Sequence, residues 1–108
     1  MAQAVGILEV YGLVAAFVAC DAGCKAADVT VENFDKNKPS NPDSLTVPLI
    51  VVVKFRGSVA AVEAAMAAAE AAANSVSGVV ASHIIARPED GTQKMLEITG
   101  FDKPQKKK

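Results

Sequence analysis

The spacing of apolar and polar positions changes several times along the chain, and each change predicts an element. Ala4 to Val10 is almost continuously apolar, with Glu9 near its end, and reads as a mostly buried strand broken by Gly12. Leu13 to Ala27 then takes helical spacing. Leu13, Phe17, Cys20 and Cys24 fall on one side and predict its buried stripe, while Asp21 and Lys25 are four apart with the acid first, the better order for an ion pair. Val29 to Phe34 alternates, with Val29, Val31 and Asn33 on one side and Thr30, Glu32 and Phe34 on the other, which predicts a half-buried strand.

The rhythm then stops. Asp35 to Val47 contains two prolines, two asparagines and two serines, and proline donates no backbone hydrogen bond, so this stretch predicts a long polar loop. Pro48 to Phe55 is a near-continuous β-branched run and predicts a central strand covered on both faces, with Pro48 tolerable only at its first position. Arg56-Gly57 ends it, and Ser58 is a natural N-cap for the alanine-rich helix that runs to Asn74. There Val59, Val62, Met66, Ala69 and Ala73 predict the buried stripe, with Glu63 and Glu70 outside. Val79 to Ala86 predicts a fourth strand closed by Arg87-Pro88, and Thr92 to Ile98 a short final helix. The order β-α-β-β-α-β plus a C-terminal piece defines an α/β (α+β) fold: the ferredoxin-like split β-α-β arrangement, a four-stranded sheet with helices over one face and a short C-terminal helix.

Bulk properties narrow the function classes. A chain of 108 residues predicts one domain, here residues 1–98, followed by a flexible Lys-rich tail at 99–108. Hydrophobic residues make up 51%, but aromatic ones only 5% and there is no Trp, so the core is built from thin side chains. A formal charge of −1 offers no basic footprint for nucleic acid, and Lys106-Lys107-Lys108 reads as a solvated tail. Leu13 to Cys20 imitates a secretory core, but no basic residue precedes it and the apolar run is too short and broken to span a bilayer. The expected location is cytoplasmic, with no membrane partner and both cysteines reduced.

Five segments in matched order carry a family resemblance over residues 4–90. They are Gly6-Ile7-Leu8-Glu9-Val10-Tyr11-Gly12-Leu13, Asp21 with Lys25-Ala26-Ala27, Val53-Lys54-Phe55-Arg56-Gly57, Val59-Ala60-Ala61-Val62-Glu63-Ala64-Ala65, and Val79 to Pro88. Together the chain resembles single-domain shell proteins of bacterial microcompartments. The resemblance implies a cyclic homo-hexamer that tiles edge to edge with its own copies and with other shell proteins around encapsulated enzymes. It also implies a central pore for small metabolites. It makes Lys25, late in the first helix, an edge residue, with Arg87 and Asp28 beside it. Two positions depart from the family pattern: Asp28 stands where asparagine is usual, and Ala86 where proline usually precedes the arginine.

The larger departure is the loop. The family joins its second and third strands by a short Gly-Ser-Gly-like turn lining the pore. This chain has a glycine-free segment instead, making Asp35, Lys36, Asn37, Lys38, Ser40, Asn41, Asp43 and Ser44 the pore-loop candidates. Such a loop fits a non-standard, minor shell component. If it prevents closure, the same head-to-tail contact gives an open screw-like assembly.

Reaction chemistry is not expected. Cys20 and Cys24 read as core filling without a second ligand pair, His83 is the only histidine and reads as a satisfied structural residue, and no phosphate-binding or nucleophile motif occurs. No metal and no cofactor are implied. The alternative class is an oligomeric ligand-binding regulator of ferredoxin-like (PII-like) fold, which also carries a long loop between strands two and three but has no use for a lysine edge. A third class, an electron carrier, would need iron.

Overall fold

The computed structural model describes residues 3–37, 43 and 49–101. Its elements are β1 (Ala4–Tyr11), α1 (Leu13–Ala26), β2 (Thr30–Asn37), β3 (Ile50–Gly57), α2 (Val59–Val76), β4 (Val79–Ile85) and α3 (Asp90–Leu96). The four strands form one antiparallel sheet in the order β2-β3-β1-β4. Consecutive strands β1 and β2 are thus separated by β3, the split arrangement expected from the element order.

One face of the sheet carries the apolar core. Leu8 and Val10 of β1 and Val51, Val53 and Phe55 of β3 are fully buried there against Ala15, Ala16 and Ala19 of α1 and Val62, Met66, Ala69 and Ala73 of α2. Each large side chain so covered is worth roughly 1.5–3 kcal/mol relative to exposure. Gly12 turns the chain from β1 into α1 at φ 87°, a conformation that side chains resist, and its N–H donates to Leu49 O at 2.8 Å. Ser58 caps α2 as expected: its Oγ accepts from Ala61 N–H at 3.1 Å.

The helices differ in what they bury. α2 buries Val62, Ala65, Met66, Ala69 and Ala73, close to the expected stripe, although Val59 is exposed. In α1 the expected stripe is wrong. Ala15, Ala16, Ala19 and Gly23 face the core, whereas Leu13, Phe17 and Cys24 are exposed and Cys20 lies at the boundary. The reason is distance. A β-carbon on Gly23 would stand 2.7 Å from the Phe55 ring and 3.3 Å from Ala65 O, so only the smallest side chains fit between α1, α2 and the sheet.

The other face is closed by polar contacts. Lys54 and Arg56 of β3 are buried there, and their side chains reach the C-terminal segment: Lys54 Nζ donates to Leu96 O and Ile98 O, and Arg56 Nη2 to Gln93 Oε1. The expectation of a doubly covered central strand holds for burial, but its second cover is α3 and the residues after it.

Two strand boundaries move. β2 runs to Asn37 because Asp35, Lys36 and Asn37 find ladder partners in Val52, Val51 and Ile50, so the first three residues of the expected loop are strand. A bulge between Val31 and Asn33 also breaks the simple alternation. Asn33 faces Lys54 and Phe34 faces Val53, so Phe34 lies on the helix side and Asn33 on the other. The final helix begins at Asp90, two residues before the expected start, and ends at Leu96. Thr99 to Phe101, read from sequence as the start of a tail, instead lie along β2. The Thr99 hydroxyl donates to Phe34 O, and Gly100 N–H donates to Asp35 Oδ1 at 2.8 Å. The remainder of that tail, 102–108, lies outside the described residues.

Candidate functional surfaces

Strand register sorts the candidate residues onto opposite ends of the sheet. Ala4 pairs with Gly57, Val5 with Ile85 and Thr30 with Arg56, so one end holds the start of β1 and β2 and the finish of β3 and β4. The last turn of α1 with Lys25, the α1–β2 link with Asp28, and Arg87 just beyond β4 all belong to this end. All three residues are exposed. They share an end of the molecule, but no hydrogen bond or ion pair joins them among the described residues.

Lys25 is the best defined of the three. Its Nζ lies 2.8 Å from Asp21 Oδ2, and the hydrogen bond and charge of that carboxylate hold the ammonium pKa above the ordinary lysine value. Both side chains are well exposed, so the pair adds little to folding and leaves the ammonium open to a neighbour. Asp28 is placed by the chain itself, because its carbonyl oxygen would lie 3.1 Å from a β-carbon on Gly57.

The other end is where Tyr11 and Asn37 both meet Ile50 and Val10 meets Val79. Asp35, Lys36 and Asn37 lead toward it. Asp35 is half-buried, with Oδ2 3.6 Å from Lys54 Nζ, so its charge is matched inside the fold. Lys36 extends its ammonium over the Phe101 ring at 5.5 Å. Asp43 is exposed, while Lys38, Ser40, Asn41 and Ser44 lie outside the described residues.

The flanks between these ends are apolar. Both helices pack on the central strands β1 and β3, and of the edge strands α1 lies toward β2 and α2 toward β4. On the α1 flank Val14 is 68% and Phe17 60% exposed, with Leu13 and Val18 beside them, and the Phe17 ring meets Phe34 edge-on at a centroid distance of 5.1 Å. On the α2 and β4 side, Val59, Val76 and Val80 are exposed. The α1 residues form a contiguous apolar group, whereas Val59 and Val76 stand at opposite ends of α2.

Little points to bond-making chemistry. Among the described residues no three His, Cys, Asp or Glu side chains converge as a metal site, and no helix is long and apolar enough to cross a membrane. Burial and the neighbouring Cys24 push the Cys20 thiol up to about 11, a poor nucleophile at neutral pH. Cys24 is exposed, not core filling, and His83 is exposed on β4 opposite Ile7, not a packed histidine. The residues that sequence reasoning passed over are Lys54 and Arg56. Their signal was present: two cations alternating with Val53, Phe55 and Gly57 give a central strand one apolar and one charged face.

The described residues thus form a small split β-α-β domain with large apolar side chains exposed on its flanks and charged residues at both ends of the sheet. The family model for the BMC domain matches residues 4–88, and the chain belongs to that family. It is 38% identical over 94 residues to the bacterial microcompartment shell protein PduA of Citrobacter freundii, covering 87% of this chain and 91% of that protein. It is 37% identical over 100 residues to the carboxysome shell protein CcmK2 of Synechocystis sp., covering 91% and 88%. Among solved structures, a microcompartments protein from Desulfitobacterium hafniense DCB superposes with a TM-score of 0.65 at 22% identity. This chain is covered over 98% of its length and spans 51% of that one, a likeness of fold.

Proposed function

We propose that this protein is a structural subunit of a cytoplasmic microcompartment shell, and that its product is an assembled wall in place of a chemical reaction. The observation that carries the reading is the BMC match over residues 4–88, together with apolar flanks that a lone chain leaves open. Copies meet head to tail, the α1 flank of one against the α2 and β4 flank of the next. Repetition of that heterologous contact closes a homo-hexamer, or winds into an open screw if closure fails. The end bearing Lys25, Asp28 and Arg87 faces outward and meets other tiles, of this chain or of other shell proteins. The opposite end, where β2 leads into residues 38–48, turns toward the centre and controls passage of small metabolites to the enclosed enzymes. No cofactor enters this function.

The test is Lys25→Ala. The ammonium is exposed and its only intramolecular partner among the described residues is Asp21, so the variant keeps the folded subunit and the oligomer. Growth into extended sheets, followed by electron microscopy, falls sharply. Sheets of unchanged size and order would remove Lys25 from the edge.

A further inference from the structure

Asp35 sits where three parts of the chain meet. Its Oδ1 accepts from Gly100 N–H and from Lys36 N–H, both at 2.8 Å, and its Oδ2 faces Lys54 Nζ. Lys54 in turn donates to Leu96 O and Ile98 O, both at 2.9 Å. Asn33, on the same face, donates through Nδ2 to Leu96 O at 3.0 Å and Glu97 O at 3.2 Å. The segment from α3 to Phe101 is therefore tied to β2 and β3 by polar bonds, most of them to its carbonyls and amides, with the Thr99 hydroxyl and the Gln93 amide oxygen adding side-chain bonds. Only Leu96 of its large apolar residues is buried, whereas Met95 is 66% and Ile98 59% exposed. A segment held by a few polar bonds with little apolar burial is at the low end of local stability.

The ammonium of Lys54 links the C-terminal segment to Asp35. A buried cation must have its donors matched. Both of its hydrogen-bond acceptors belong to the C-terminal segment and its counter-charge is Asp35 at 3.6 Å, so departure of the segment leaves Lys54 and Asp35 to rearrange together. Asp35 is two residues before the end of β2, and Thr99 holds the outward carbonyl of Phe34 immediately before it. We propose that the stretch from α3 to Phe101 is a detachable strap and that Asp35 is the positioning residue coupling it to the last residues of β2. Strap docking fixes residues 35–37 in register against Val52, Val51 and Ile50, and strap release frees them. By linkage the coupling runs both ways: whatever loosens the end of β2 also weakens the strap. Anything that grips Met95, Ile98 or Phe101 at the surface would then be felt at the strand end leading into 38–48. This inference stands on contacts within one chain and does not depend on the shell reading.

Hydrogen-exchange mass spectrometry on the full chain tests it. Thr99→Val removes a bond from the strap without altering any residue of β2. Exchange of the amides at 35–37 rises about tenfold, the equilibrium change expected for loss of one such bond. Asp35→Ala raises exchange at 99–101 by a similar factor. Asp35→Asn, which keeps an oxygen for Gly100 N–H, restores most of that protection. A chain ended after Ile98 covers the case in which Thr99→Val leaves the strap docked, and there too 35–37 exchange faster. Faster exchange confined to the strap in Thr99→Val and unchanged 35–37 in the shortened chain would overturn the coupling. So would equal exchange in Asp35→Ala and Asp35→Asn.

Discussion

The two long helices make an instructive pair. Both are alanine-rich, both lie on the same face of the sheet, and they pack against each other. α2 follows the usual rule: its largest buried residues, Val62 and Met66, face the core and its glutamates stay at the surface or its margin. α1 inverts it. Its core side is Ala15, Ala16, Ala19 and Gly23, and its bulky residues Leu13, Val14, Phe17 and Val18 are exposed. The difference lies in the space available: α2 stands far enough from the sheet to bury Val62 and Met66, whereas α1 approaches Phe55 and Ala65 so closely that its large side chains turn outward. In the proposed wall, this outward apolar side of α1 is the surface a neighbouring copy would cover.

Four substitutions or reactions would break or sharpen this contrast. The largest effect is expected from Gly23→Val, which drives a branched side chain into the Phe55 ring and the α2 backbone. It costs about 3 kcal/mol of subunit stability, a fall in Tm on the order of 15 °C in thermal unfolding. Met66→Ala removes the largest buried side chain of α2 and costs about 2 kcal/mol by denaturant titration. Phe17→Ser lies on the other side of α1. It loses the edge contact with Phe34 and costs the isolated subunit about 1 kcal/mol or less, but it reduces assembly measured by sedimentation far more than either core change does at equal folded fraction. The smallest effect maps the boundary of α1. Cys24 is alkylated readily at neutral pH while Cys20, its thiol raised to about 11, is ionised in about one molecule in ten thousand. Raising the pH toward 11 speeds Cys20 alkylation continuously, because the thiolate fraction rises tenfold per pH unit until the pKa is reached.

Much of this was legible in the residues themselves. The element order, the Gly12 break, the Ser58 cap, the α2 stripe and the Asp21–Lys25 pair all rest on short-range rules, and the structure carries each of them, the stripe without Val59. What was hidden depends on partners distant in sequence. Periodicity cannot tell which of two apolar faces of α1 is buried, because that is decided by the space Phe55 and Ala65 leave. Alternation in β2 fails at Glu32, where a bulge sends Asn33 to the face of Lys54. The polar stretch at Asp35 looked unfit for a strand, but the ladder with Ile50 to Val52 outweighs its weak propensity. The strap was invisible for the same reason: Lys54 and Leu96 are 42 residues apart, and the bond is to a carbonyl that every residue carries. Of the candidate surfaces, Lys25, Asp28 and Arg87 were singled out by the family resemblance. The family resemblance already grouped them on one edge, and the register adds that they lie at the end of the sheet opposite the finish of β2.

The most direct test of the account is the mass of the particle this chain forms in solution, measured by native mass spectrometry on the wild-type protein and on Phe17→Ser. A closed homo-hexamer, or a ladder of larger open oligomers, is expected for the wild type, and a shift toward folded monomer for the variant. A wild-type chain that stays monomeric at high concentration, with Val14 and Phe17 still open to solvent, would contradict it.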